Sequence, residues 1–130
     1  MNNDNAKNNT LIPCQPVPSG MQYMEVKTDI MHPIISPGDV IEVDMSVNRV
    51  ECEGVYILWL CGVPALRRVS FTGLTGTGQA VLSCDNPVIQ YRETISMNRL
   101  YELKAIGRVK RIWKDQTRQA TETQFQHRHH

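Results

Sequence analysis

The sequence has no apolar run near the ~18 residues that a membrane-spanning helix requires, so nothing in it predicts a helical span. It also lacks a surplus of either charge. Fourteen Lys and Arg stand against thirteen Asp and Glu, for a formal charge of +1. The global basic excess of many nucleic-acid binders is therefore missing. Cysteine is scarce. Cys14, Cys52, Cys61 and Cys84 form no C-x-x-C pair, which argues against a zinc ribbon or a thioredoxin-like redox site. Free thiols in a reducing compartment are expected, with Cys61 a small core residue at the end of an apolar run. The stretch Met1–Thr10 has no apolar segment of a secretory signal, so the expected location is cytoplasmic. Histidine clusters only at the end, as His127, His129 and His130, without a second cluster or a suitably spaced carboxylate. Neither a functional metal site nor any cofactor is expected.

What remains is ordinary globular material. At 130 residues, 41% of them apolar, the chain suffices for one domain with its own core. Residues 1–20 read as a flexible arm, Asn-rich at first and then interrupted by Pro13, Pro16, Pro18 and Gly20, which oppose regular pairing. The arm is too short for a helix-turn-helix domain. Residues 21–113 form the body and residues 114–130 a polar, His-ended tail.

Within the body, Val40–Asp44 alternates apolar and polar residues, the period of a half-buried strand, after the turn signal Pro37-Gly38-Asp39. Gly54–Cys61 is a continuous run of β formers bounded by glycines, and reads as a central strand. Gly62-Val63-Pro64 turns it back into Ala65–Phe71 as a hairpin. Thr72–Gln79 is a loop, Ala80–Ser83 a short strand ended by Asp85-Asn86-Pro87, and Leu100–Trp113 holds the last strand or strands. Short strands separated by turns favour a mainly β barrel or sandwich.

The segment Thr28-Asp29-Ile30-Met31-His32-Pro33-Ile34-Ile35-Ser36-Pro37-Gly38-Asp39-Val40-Ile41-Glu42-Val43-Asp44 resembles the signature of the LexA/phage-repressor peptidase-like family, G-D-S-M-x-P-x-I-x-x-G-D-x-x-x-V-D. Asp29, Met31, Pro33, Ile35, Gly38, Asp39, Val43 and Asp44 match. Further elements follow in the family's order: Glu53-Gly54-Val55-Tyr56, Leu66-Arg67-Arg68-Val69, Leu82-Ser83-Cys84-Asp85-Asn86-Pro87 and Gly107-Arg108-Val109. The resemblance covers about residues 23–113. It implies a compact domain of the C-terminal type, with small, strongly bent sheets or a partial barrel. The same residues also serve as scaffold: Pro33 fixes a dihedral, Gly38 permits a tight turn, and Asp39 can cap that turn.

Members of this family cut a peptide bond with a serine that a desolvated lysine deprotonates. The resemblance puts Ile30 at the serine position and Arg67 at the lysine position. A hydrocarbon cannot attack a carbonyl, and a guanidinium cannot accept the proton. The family's self-cleaved small-Gly bond has no good counterpart either, since Ser19-Gly20 lies too close to Ile30. A shifted pair drawn from Thr28 or Ser36 and Lys27 would still meet Ile30 in the nucleophile's place. Ile30 is expected to fill the former cleft. Arg67 would lay its stem over it and send its head to water or a carboxylate.

With catalysis gone, the resemblance implies association: a module of transcriptional regulation that forms a homodimer or pairs with a repressor and touches DNA only indirectly. No membrane and no small-molecule substrate is expected as a partner. Tyr101, Ile106, Val109, Ile112 and Trp113 form the candidate pairing surface, set against the plainer expectation of an internal strand. Ser83–Tyr91 is a second candidate. The alternatives are an accessory subunit of an error-prone DNA polymerase, a residual self-cleaving serine peptidase, or direct nucleic-acid binding. The last would use Lys104, Arg108, Lys110, Arg111, Lys114 and Arg118, opposed between residues 104 and 118 only by Asp115. Charge that protects a sheet edge accounts for the same cluster.

Overall fold

Four consecutive side chains, Val55, Tyr56, Ile57 and Leu58, are buried. In an extended chain that requires cover on both faces, and the architecture follows from it. The computed structural model describes residues 11–16, 20–73 and 78–115. In chain order the elements are β1 (Leu11–Pro16), β2 (Met21–Val26), β3 (Val40–Asp44), β4 (Gly54–Leu60), β5 (Val63–Phe71), β6 (Gln79–Ser83), β7 (Arg92–Ser96), a short helix α1 (Met97–Glu102) and β8 (Ala105–Trp113). The strands form one open sheet in the order β1-β2-β3-β8-β4-β5-β6-β7. Every neighbouring pair is antiparallel. The fold is mainly β, as the sequence predicts. No helix among the described residues is long and apolar enough to cross a membrane.

Alternation along β4 sends its side chains into two cores. Val55 and Ile57 join Met24, Val26, Met31, Ile35, Ile41, Val43 and Leu66. Tyr56 and Leu58 join Val50, Val69, Ala80, Leu82, Ile95, Leu100 and Ala105. Each fully buried aliphatic side chain contributes roughly 1.5–3 kcal/mol. The first core gathers under β2, β3 and the loop between them. The second gathers under β5, β6, β7 and α1. Tyr56 closes its own polar end by donating to the Cys52 carbonyl at 2.7 Å.

Four expectations change. Leu11–Pro16 is not an unpaired arm but an edge strand on β2, with a register shift between Pro13 and Pro16. An edge strand tolerates proline because half of its N–H groups face away from the ladder. Cys61 is exposed, not core. It shares the β4–β5 turn with Gly62, at φ 53 and 82, and such a two-residue hairpin loop needs left-handed backbone at both positions. The turn therefore precedes Val63 and Pro64, which already pair with Leu60 and Trp59. Leu100–Glu102 is helical, capped by the Ser96 side chain, which accepts from the Arg99 N–H. β8 is an internal strand, the plainer of the two expectations for it, paired with β3 on one side and β4 on the other. Residues 1–10 and 116–130, with the terminal histidines and Arg118, lie outside the described residues.

Gly107 marks the tightest approach in this interior. A Cβ there would collide with the Val43 side chain and lie 2.9 Å from the Asp44 carbonyl. Gly107→Ala is expected to destabilise the protein by about 1–3 kcal/mol, the usual range for overpacking, as read from urea unfolding midpoints.

Candidate functional site

The loop between β2 and β3 carries the motif, and its ends are tied together. The Val26 N–H donates to the Asp39 carbonyl, and the Gly38 N–H to the Val26 carbonyl, both at 2.8 Å. Inside the loop, the amides of Ile34 and Ile35 both donate to the Met31 carbonyl at 3.0 Å. Met31 and Ile35 point inward and have no solvent exposure. The alternation of the motif is thus the alternation of an anchored loop. Pro33, after a cis peptide, is exposed on its outer side.

Asp39 is the anchor. Its carboxylate is fully buried. Oδ2 accepts the Ser36 N–H at 2.8 Å and the Lys114 ammonium at 2.7 Å. Oδ1 accepts the Asp115 N–H at 2.9 Å. Lys114 also donates to the Ile34 carbonyl at 3.1 Å. The expected turn cap is present, and it extends to the end of β8, a link no local pattern announces. Gly38 has φ +95, and a Cβ there would lie 2.7 Å from Asp115 Oδ2. The positive φ favours glycine here, whereas the Asp115 side-chain end could shift to relieve the contact.

The other motif carboxylates have lesser roles. Asp44 Oδ1 accepts the Ser46 hydroxyl at 2.6 Å and its amide at 3.0 Å. These bonds hold its carboxyl below the ordinary range. Asp29 has an exposed side chain and contributes its carbonyl, which accepts the Asn86 side-chain amide at 2.8 Å.

Ile30 meets the segment Cys84–Asn86, and Arg67 acts electrostatically on Cys84 there. The Asn86 N–H donates to the Ile30 carbonyl at 3.1 Å. The Ile30 side chain is partly buried against the first core. Arg67 pairs with Tyr56 in the β4–β5 ladder. Its guanidinium lies over the Tyr91 ring, 4.4 Å from the centroid, and Nη1 donates to the Leu66 carbonyl at 2.8 Å. Its head therefore goes to an aromatic face and the Leu66 carbonyl, and not to a carboxylate among the described residues. Its Nε is buried without a hydrogen-bond partner. Beside it, Arg68 grips Asp85 through two bonds of 2.7 and 2.8 Å, which hold the guanidinium pKa above its usual value.

Ile30 and Arg67 themselves offer neither a nucleophilic oxygen nor a proton acceptor. Burial pushes the Cys84 thiol up, against the pull of Arg67, so the thiol keeps its proton. Burial also raises the Tyr91 hydroxyl, which donates to Glu93 at 2.8 Å. Lys27 pairs with Glu25 at 2.9 Å on the surface, with 44% of its side chain exposed, and so lacks the desolvation that a lysine base needs. Ser36 Oγ lies 2.7 Å from His32 Nδ1, with Ser36 only 4% exposed and His32 exposed. Among the described residues, no group of three or more His, Cys, Asp and Glu could hold a metal ion.

The candidate pairing surface does not form one patch. Ile106, Val109 and Ile112 are partly buried against the first core, while Trp113 is 52% exposed. Tyr101 sits on α1, beside a hollow of about 430 Å³ that Asn48, Arg49, Trp59 and Lys104 also line. Trp59 escaped notice within its apolar run, although the burial of both β4 faces stops short of it. In the second candidate segment, Asp85, Asn86 and Tyr91 are engaged internally and Val88 is exposed. The basic run is also divided. Arg108 donates to the Glu53 carbonyl at 3.0 Å, Arg111 lies 3.8 Å from Glu42, and Lys114 holds Asp39. The chain matches no protein-family model and no curated protein sequence.

Removal of the anchor sets a clear order of stability loss. Asp39→Ala strands the Ser36 and Asp115 amides and is expected to cost at least about 2 kcal/mol in urea unfolding. Asp39→Asn keeps one acceptor and costs less. Lys114→Met is expected to cost more than Asp39→Asn, because it leaves the buried carboxylate charged without its cation.

Proposed function

We propose that the chain is a non-catalytic module of the LexA/phage-repressor C-terminal type, acting in transcriptional regulation by pairing with a second copy or with a repressor. One observation carries this reading. The two positions that the resemblance assigns to nucleophile and base hold a hydrocarbon packed against a core and a guanidinium stacked on Tyr91. Neither side chain can perform its step. The anchored loop, the two cores and the cap at Asp39 are supporting features, since they keep the motif as scaffold. Association needs exposed apolar area, and Ile34, Val88 and Trp113 supply it outside the hollow beside α1.

The reading makes two measurements diagnostic. At alkaline pH, where a serine–lysine pair would be active, intact mass should stay constant for days. Sedimentation equilibrium of the full chain should show a dimer at micromolar concentration, and Trp113→Glu should weaken it at least tenfold. A growing fragment mass contradicts loss of catalysis. A monomer at every concentration contradicts self-association and shifts the role to a repressor partner.

A further inference from the structure

We propose that the hollow beside α1 binds a single strand of nucleic acid, with bases on the Trp59 and Tyr101 rings and neighbouring phosphates on Arg49 and Lys104. The inference does not rest on the peptidase-like reading, because the hollow shares no residue with the Ile30–Arg67 region. Its volume, about 430 Å³, lies within the ~300–1,000 Å³ range of ligand sites. Two large rings on its lining stay open to solvent, Trp59 at 43% and Tyr101 at 54%. Exposed aromatic faces are what unpaired bases stack on, and bases in a duplex have theirs covered.

Charge selects the occupant. Arg49 and Lys104 face only one acid on the lining, Glu102. Among the described residues, the side chains of Arg49 and Lys104 make no hydrogen bond or ion pair. Arg108, Arg111 and Lys114, from the same basic run as Lys104, are each engaged within the fold. An apolar peptide would use the rings and waste the cations, whereas a single strand uses both.

The walls are also held in place. The Trp59 N–H donates to the Lys104 carbonyl at 3.0 Å, and the Ala105 N–H to the Asn48 carbonyl at 3.0 Å. These bonds tie the end of β4, the start of β8 and the loop before Val50 into one rim. A strand would thus meet a preformed surface, with little ordering cost on the protein side.

The test is fluorescence anisotropy of the full chain with a short labelled oligothymidine, over a range of salt concentrations. Two phosphate contacts predict a slope of log K against log salt of about −1.4, at about −0.7 per contact for single strands. Trp59→Ala should weaken binding about tenfold or more, and Trp59→Phe, which keeps a ring, much less. Arg49→Ala should make the slope shallower by about 0.7. Lys27→Ala, which removes a cation away from the hollow, should leave affinity unchanged, and circular dichroism should show every variant folded. Absence of binding at low salt overturns the proposal, as does affinity indifferent to both Trp59→Ala and Arg49→Ala. Thymidine monophosphate binding as tightly as the oligomer, or duplex binding more tightly, overturns the single-strand assignment.

Discussion

One buried carboxylate organises the region that carries the motif. Asp39 has no exposure to water, so its charge must be met by protein. Its donors include the Ser36 amide, the Lys114 ammonium and the Asp115 amide. The first lies in the motif loop and the others just after β8. The sheet order puts β3 beside β8, so the loop before β3 and the chain after β8 arrive together. Without the ladder the carboxylate would lack partners. Without the carboxylate those amides would be left unsatisfied in a buried place.

This arrangement separates two things that a motif can mean. Most matched positions do packing or turn work here. Met31, Ile35 and Val43 are buried without exposure, Gly38 takes the positive φ of its turn, and Asp44 caps the turn at Ser46. Such work is indifferent to chemistry at Ile30. On the proposed reading, with a hydrocarbon at position 30 and a guanidinium at position 67, the scaffold can persist with no catalytic demand on it. The Arg67–Tyr91 stack and the Asn86 bonds to the loop are consistent with that settlement.

The legible part of the fold was the part set by local pattern. Val40–Asp44 alternates and Gly54–Leu60 does not, and their burial follows those patterns. Turn chemistry also spoke, at Pro37–Asp39. What stayed hidden depended on contacts between distant residues. Leu11–Pro16 looks unpairable until β2 offers an edge. Cys61 looks like core until the hairpin turn claims it. Asn86, Lys114 and Tyr91 are ordinary residues in sequence, and only the fold brings them to Asp29, Asp39 and Arg67. Trp59 shows the opposite error, since its apolar neighbours disguise an exposed ring.

The central claim is that the motif loop is a closed structural element and not a moving part over a working cleft. Native-state hydrogen exchange, followed by NMR at the Ser36, Asn86 and Asp115 amides, tests it most directly. The account predicts that all three exchange only with opening of a large part of the fold, close to the slowest amides of β4. Exchange near the rate of an unstructured chain, with β4 still protected, would show a loop that opens by itself, and would contradict it.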